Sequence, residues 1–166
     1  AILYNGYSME TGIAAIDSLL SRGGMSSMLF TIILIVLSLS MGGLLFALGI
    51  IQTLLEALQN QLKSVGSVIS GAAFTAIGIN FTIGEQYLSI LLTGEAFKEK
   101  FKLLNLHPKN LARTIEDAGT VINPLVPWSV CGLFIATTLN VSVLDYVPFA
   151  FFCLLSPVLT ILFGWL

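Results

Sequence analysis

A run of apolar residues without a single charge extends from residue 26 to residue 51. This run restricts the fold severely, because about 20 apolar residues in helical form span a hydrocarbon core of about 30 Å. Three further apolar runs follow, at 64–93, 118–139 and 147–166. We therefore predict an all-α fold over residues 26–166, a polytopic membrane helical bundle with about four membrane-crossing segments. Residues 1–25 are more polar and are predicted to form a juxtamembrane segment.

The composition supports a membrane location. Hydrophobic residues make up 56% of the chain and charged residues only 10%, and the mean hydropathy is +0.95. Soluble domains carry about a quarter charged residues, so this chain has too few polar groups to cover one. The net charge of −2 indicates no nucleic-acid partner. The chain starts at Ala1 and ends within an apolar run, which we interpret as a fragment of a longer protein, one half of a transporter.

No pattern typical of an enzyme or of a bound cofactor is present. Cys131 and Cys153 lie in apolar runs and are interpreted as small membrane-embedded side chains. His107 is the only histidine, and no Gly-x-Ser-x-Gly sequence occurs. We therefore expect no enzymatic activity and no cofactor. An inert membrane anchor is a further alternative, but an anchor has no reason to place polar breaks within its helices.

Two of the apolar runs are interrupted by polar residues. The run 64–93 would form a helix of about 45 Å, too long for a straight crossing, and its stretch 78–86 is polar. The second interruption, at 116–129, contains Pro124 and Pro127. In lipid, a broken helix is tolerated only where it is buried in protein or lines an aqueous cavity, and transporters hold ions at such breaks. We therefore predict two discontinuous helices that face a shared aqueous cavity.

The basic residues predict the orientation in the membrane, if each run crosses once. One side then holds Arg22 together with the five basic residues of the segment 94–117, whereas the other side holds only Lys63. The positive-inside rule places the first side, including the loop 94–117, in the cytoplasm. Residues 52–63 keep a helical stripe of leucines and are predicted to be an amphipathic extension or an interfacial helix.

The second interruption contains a first group of oxygen-bearing side chains, Asp117, Thr120, Asn123 and Ser129. In a helix, Asp117 and Thr120 would share a face, and Asn123 is displaced from helical geometry because Pro124 follows it. Carboxylate, hydroxyl and carbonyl oxygens are hard ligands suited to an alkali cation. The alternative is a capping box at Thr114–Asp117 that opens a helix and leaves both acids in solvent.

The first interruption contains a second group, which consists of Thr75, Asn80, Thr82, Glu85 and Gln86. Glu85 is predicted to lie within the membrane, where an unpaired carboxylate is costly and usually functional. The alternative is that the amides and hydroxyls satisfy the backbone of a kink, while Glu85 pairs with a lysine such as Lys98 or lies at a wet interface. The residues alone leave both alternatives open.

Four stretches, in this order along the chain, resemble the NhaC-type sodium/proton antiporter family of the wider ion transporter superfamily. They are residues 16–25, 84–90, 107–120 and 123–132, of which the last reads Asn-Pro-Leu-Val-Pro-Trp-Ser-Val-Cys-Gly. The resemblance implies a bacterial inner-membrane antiporter that exchanges Na⁺ for H⁺ by alternating access. It also implies two inverted repeats, with this chain supplying mainly one as the C-terminal part. The implied partners are membrane lipid, Na⁺, protons and the remaining half of the transporter, and a homodimer is left open.

With this resemblance, the two groups predict a transport site in which H⁺ and Na⁺ compete. Asp117 or Glu85 would bind either ion, and Asp117, Glu85 and Asn123 are the expected Na⁺ ligands. Asn80, Thr82, Gln86 and Thr120 would complete the sodium shell. Relatives in the family couple sodium-lactate to proton-malate movement, so a Na⁺-coupled organic-acid exchanger on the same scaffold is the alternative. The membrane runs contain no Arg or Lys, which argues mildly against it.

Overall fold

The computed structural model describes residues 2–13, 16–17, 20–21, 23–51, 53, 57 and 62–166. The predicted amphipathic stretch 52–63 lies largely outside the described residues, as do Ser18, Leu19 and Arg22 of the juxtamembrane segment. The chain divides into two compact units, residues 1–37 and 38–166. In the first unit, α1 covers Ile2–Asn5. Hydrogen bonds from the side chain and backbone of Thr11 lower the pKa of Asp17.

Helix α2, Met25–Ala47, extends from the first unit into the second. Among its described residues, the second unit also contains the helices α3 (Val65–Ile83), α4 (Gln86–Leu103), α5 (Pro108–Ile115), α6 (Val130–Leu139), α7 (Val143–Tyr146) and α8 (Phe151–Trp165). A π-helical turn, Glu116–Thr120, follows α5, and short 3₁₀ turns occupy Asn123–Leu125 and Val147–Phe149. The prediction of an all-α membrane bundle is confirmed.

In the described part of the chain, two helices are long and apolar enough to cross a membrane, α2 and α3. Two bent pairs bring the number of spans to as many as four: Pro108–Leu125 with Val130–Leu139, bent by 44°, and Val143–Phe149 with Phe151–Trp165, bent by 58°. The predicted number of about four spans is therefore confirmed. The first bent pair contains the interruption at 116–129 that the prolines indicate.

The interruption in the run 64–93 has a different form from the one predicted. Helix α3 ends at Gly84, whose φ of 76° lies in the left-handed region that glycine adopts without strain. Helix α4 then returns alongside α3: Ser89 Oγ donates to the Ala76 carbonyl oxygen at 2.7 Å, and Lys100 Nζ donates to the Leu62 carbonyl oxygen at 3.2 Å. The start of α3 and the end of α4 therefore lie at the same end of the unit, which we call the basal end.

The prediction that Lys63 lies opposite the loop 94–117 is therefore wrong, whereas the run 64–93 does contain one candidate span, α3. The physical reason is that Gly84 permits a reversal, while the Glu85 side chain caps the new helix. The basal end is held by a core cluster that joins α3, α4 and α5. Gly66 and Gly164 also allow α3 and α8 to approach closely, because a Cβ at Gly66 would lie 2.6 Å from the Trp165 ring. Helix α8 thus returns to the basal end as well.

Candidate functional site

The two chain breaks meet in the structure. The backbone N–H of Val130, at the start of α6, donates to the Gly84 carbonyl oxygen at 3.2 Å. Trp128 Nε1 donates to the Phe81 carbonyl oxygen at 2.7 Å, and the rings of Phe81 and Trp128 pack edge to face. The sequence predicts that the interruptions face a shared aqueous cavity. These contacts place the two interruptions together, and the aqueous cavity between them stays a prediction. We call this region, formed by Asn80, Gly84, Asn123 and Ser129, the break junction.

Two fully buried amides cross-link the break junction. Asn123 Nδ2 donates to Asn80 Oδ1 at 2.7 Å, and Asn80 Nδ2 donates to the carbonyl oxygen of Gly119 in the π-helical turn. Asn123 Oδ1 accepts from the backbone N–H of Cys131 at 3.3 Å. Each amide oxygen therefore already accepts a hydrogen bond within the protein. The arrangement holds α3, the π-helical turn and α6 in a fixed relation.

The other predicted residues of the first interruption bond mainly to nearby backbone. Thr82 Oγ1 donates to the Gly78 carbonyl oxygen of its own helix at 2.9 Å, and its side chain is exposed. Glu85 is half-buried, and its Oε2 accepts from the Leu88 N–H at 3.0 Å, which caps α4. Gln86 Oε1 lies 3.9 Å from Cys131 Sγ, which donates to it. These contacts match the alternative in which polar groups satisfy the ends of broken helices, except that Glu85 caps a helix instead of pairing with a lysine.

Asp117 occupies a separate position, in the π-helical turn. Its half-buried carboxylate accepts from Ser156 Oγ at 2.9 Å and from Thr160 Oγ1, both on α8. A π-helical turn contains more residues than an α-helical turn and is frequent at functional sites. It also changes which side chains share a face. Thr120, predicted to lie beside Asp117, instead donates to Glu116 Oε2 at 3.0 Å.

The capping-box alternative for Thr114–Asp117 is wrong. Thr114 is buried within α5, and its hydroxyl donates to the Asn110 carbonyl oxygen at 2.8 Å. The helix starts earlier, at Pro108, with His107 as the capping residue. Asp117 consequently lies beyond the end of α5, where the chain enters the bent span, and not at a solvated helix start.

A cavity of about 370 Å³ opens beside Asp117. It is lined by four polar and four apolar side chains, namely Arg113, Asp117, Ser156, Thr160, Phe152, Leu155, Leu159 and Phe163. A carboxylate and two hydroxyls provide hard oxygen ligands for a small cation, and the carboxylate can also take a proton. We call Asp117, Ser156 and Thr160 the carboxylate–hydroxyl cluster.

Sequence reasoning missed Ser156 and Thr160. Their signal was available: they are the only hydroxyl side chains in the apolar run 147–166, and their spacing of four puts them on one face of a helix. The two predicted acids do not share a hydrogen-bond partner. Asp117 accepts from Ser156 on α8, and Glu85 accepts from the Leu88 N–H at the start of α4. Within the described part of the chain, no three His, Cys, Asp or Glu side chains are grouped closely enough to hold a metal ion.

Comparison with known proteins gives a consistent result. The model of the Na⁺/H⁺ antiporter family matches residues 1–166. The Na⁺/H⁺ antiporter NhaC of Alkalihalophilus pseudofirmus is 52% identical over 99% of this chain and 36% of its own length. The arginine/ornithine antiporter ArcD of Halobacterium salinarum is 36% identical over 99% of this chain and 34% of its own length. The malate-2H⁺/Na⁺-lactate antiporter of Bacillus subtilis is 32% identical over 99% of this chain and 35% of its own length.

The chain therefore spans about a third of the length of these curated relatives. No solved structure matches it. All three relatives are named as antiporters, but they are named for different solutes.

Proposed function

The chain belongs to the Na⁺/H⁺ antiporter family, and from this premise we propose that the protein is a secondary active transporter exchanging Na⁺ for H⁺. The exchange takes place across the bacterial inner membrane by alternating access, together with the remaining part of the same transporter. The protein is not an enzyme, and Na⁺ and H⁺ are its cargo. The NhaC relative, at 52% identity, supports this choice of cargo.

The observation that carries the proposal is the carboxylate–hydroxyl cluster. Asp117 receives hydrogen bonds from Ser156 and Thr160. A hydroxyl is both donor and acceptor, so rotation of each O–H turns its oxygen towards a Na⁺ beside the carboxylate. A proton on Asp117 removes the negative charge that attracts Na⁺. One carboxylate therefore serves the two ions in turn, as exchange requires.

The break junction has a supporting role in this proposal. Asn80 and Asn123 are predicted sodium ligands, but their side chains are occupied by hydrogen bonds to each other, to Gly119 and to Cys131. We propose that they fix the π-helical turn, and with it Asp117, against α3. Movement of the bent spans about this junction exposes the cluster to one side at a time. The hydrogen bonds of Thr82, Gln86 and Thr120 go to other partners than Asp117, Ser156 and Thr160. We therefore assign these three residues no role in the cluster.

Glu85→Gln separates capping from ion binding. Because the Glu85 carboxylate caps α4, we expect the amide to lower the free energy of unfolding by about 0.5–1 kcal/mol and to leave most of the exchange activity. Thermal unfolding and sodium-driven proton flux are measured on the same preparation. A variant with unchanged thermal stability and no sodium-driven proton flux would instead show that Glu85 takes part in ion transport.

A Na⁺-coupled organic-acid exchanger is the second candidate, and Arg113 favours it. The Arg113 side chain lines the same cavity as Asp117, and a guanidinium recognises a carboxylate through paired hydrogen bonds. The apolar side chains of α8 would contact the hydrocarbon part of such a solute. Lactate or malate added to proteoliposomes separates the two functions. Faster sodium movement with either acid supports the second candidate, and no effect supports simple cation exchange.

The basal end is proposed to face the cytoplasm. All six basic residues of the unit 38–166 belong to segments at this end: Lys63, Lys98, Lys100, Lys102, Lys109 and Arg113. The positive-inside rule then assigns the loop 94–117 to the cytoplasm, and Lys63 joins it there.

This orientation predicts the labelling of introduced cysteines. In a variant with Cys131 and Cys153 replaced by serine, we expect Lys63→Cys and Lys109→Cys to react with a membrane-impermeant maleimide in inverted vesicles and not in intact cells. Labelling of the two positions from opposite sides would contradict the shared basal end. Labelling of both positions from outside would contradict the cytoplasmic location of the basal end but would still agree with both positions lying at that end.

The experiment that tests the function is proton flux driven by a sodium gradient, measured with the full-length protein in proteoliposomes. An inward sodium gradient must drive protons out and alkalinise the lumen. An outward sodium gradient must acidify it. No flux with Na⁺, in vesicles that contain folded protein, would reject the proposed exchange.

A further inference from the structure

The cavity beside Asp117 contains one negative and one positive side chain. Asp117, in the π-helical turn, and Arg113, on α5, both line it. The carboxylate is bonded to Ser156 and Thr160, whereas the Arg113 guanidinium has no hydrogen-bond or ion-pair partner among the described residues. The two opposite charges therefore share one space of about 370 Å³ without pairing with each other.

The negative end of the cavity suits a primary ammonium group. Such a group has three N–H donors, and the cluster offers three acceptors: the Asp117 carboxylate and the hydroxyl oxygens of Ser156 and Thr160. Each hydroxyl donates its hydrogen to Asp117, but its oxygen keeps lone pairs that can accept. An ammonium group can therefore bind without breaking the two hydrogen bonds that form the cluster.

The positive end suits a carboxylate at a short distance from that ammonium group. A guanidinium binds a carboxylate through two parallel N–H···O hydrogen bonds. Arg113 precedes Asp117 by four residues, which corresponds to about 6 Å along a helix. In an α-amino acid the nitrogen and the carboxyl carbon are only about 2.5 Å apart. With a hydrogen bond at each end, such a solute can reach both side chains.

The rest of the cavity is small and apolar. It is lined by Phe152, Leu155, Leu159 and Phe163 of α8. Its volume lies near the lower end of the range for small-molecule sites, about 300–1,000 Å³. An apolar side chain of the solute would leave water there, whereas a charged side chain would have no partner.

We propose that this cavity binds an apolar α-amino acid as a zwitterion, with its ammonium group at the carboxylate–hydroxyl cluster and its carboxylate at Arg113. The solute competes with Na⁺ and H⁺ for Asp117, so the inference rests on the proposed function of the cluster. It differs from the organic-acid candidate, because an organic acid brings a second negative charge to Asp117 unless Na⁺ accompanies it. A zwitterion carries its own positive charge and binds without Na⁺.

Three probes with the same hydrocarbon part test the inference on the full-length wild-type protein. Leucine has both charged groups, isopentylamine lacks the carboxylate, and isocaproate lacks the amine. Melting temperatures are measured at neutral pH in choline, whose nitrogen has no N–H donor, because a ligand of the folded state raises the melting temperature. We expect leucine to raise it. Each single-charge probe should bind at least about tenfold more weakly, since one charge-assisted contact is lost.

Arg113→Gln and Lys109→Gln are a matched pair for the positive end. Both are exposed basic residues of α5, but only Arg113 lines this cavity. We expect Arg113→Gln to reduce the effect of leucine to that of isopentylamine, and Lys109→Gln to keep the wild-type effect. If Arg113→Gln does not fold, the three probes on the wild type decide the question.

Three results would overturn the inference: no rise with leucine, an equal rise with either single-charge probe, or an unchanged leucine effect in folded Arg113→Gln. An equal rise with isocaproate would favour the organic-acid candidate instead. The proposed exchange is judged separately, by sodium-driven proton flux in the absence of any amino acid. Flux without a leucine effect would reject this inference alone, and a leucine effect without flux would reject only the proposed Na⁺/H⁺ cargo.

Discussion

Asp117→Asn is expected to reduce sodium-driven proton exchange to the background of protein-free vesicles. The amide keeps the shape of the side chain: its single oxygen can accept from one of the Ser156 and Thr160 hydroxyls, and its NH₂ can donate to the oxygen of the other. It can neither carry the negative charge that attracts Na⁺ nor release a proton near neutral pH. Exchange is measured in proteoliposomes with a luminal pH dye after a sodium jump. The melting temperature, measured in choline, should stay close to that of the wild type.

Glu116→Gln is the matched control for this substitution. Glu116 is the preceding residue in the same π-helical turn, but its side chain is exposed and bonds to Thr120. It should retain exchange, because a surface carboxylate outside the cavity is not required to bind the ion. Exchange at the wild-type rate in Asp117→Asn would remove the cluster from the transport pathway.

Asn123→Ala is expected to give the largest loss of stability. The substitution leaves the fully buried Asn80 Oδ1 without its donor and the half-buried Cys131 N–H without its acceptor. At about 1–3 kcal/mol for each buried unsatisfied group, the expected loss is on the order of 3 kcal/mol. Denaturant unfolding in detergent, followed by tryptophan fluorescence, measures it, and Trp128 reports directly on the break junction.

Thr82→Ala is the control for the amide bridge. Its hydroxyl bonds to its own helix and is exposed, so the expected change is within about 0.5 kcal/mol. Equal stability of Asn123→Ala and the wild type would show that the two breaks are held together by something other than the amides. Exchange should also fall in Asn123→Ala, because Asn80, whose amide links α3 to the π-helical turn carrying Asp117, loses the Asn123 donor that holds its side chain.

The membrane bundle and the second chain break were readable from the sequence for local reasons. Charge-free runs of the right length predict spans, and Asn123 before Pro124 predicts a break wherever the chain is buried. Asn80 and Asn123 were predicted as members of two separate groups, and the structure joins their amides by a hydrogen bond. Their role as ligands stays a prediction, and their hydrogen bonds support a bracing role.

The reversal at Gly84 and the position of Asp117 were not readable, for reasons that are not local. A glycine in the left-handed region can end a helix, kink it or reverse it, and the choice depends on packing of α3 against Phe97 and Phe101. Asp117 meets Ser156 and Thr160 across about 40 residues of sequence, a pairing that depends on the fold. The π-helical turn then shifts Thr120 away from the face that an α-helix would give it.

The reversal at Gly84 also affects how the protein enters the membrane during synthesis. The second half of α4 carries Glu95, Lys98, Glu99, Lys100 and Lys102, so the translocon would insert it poorly as an isolated segment. Since α4 ends beside the start of α3, the pair can be inserted together without carrying those charges across the bilayer.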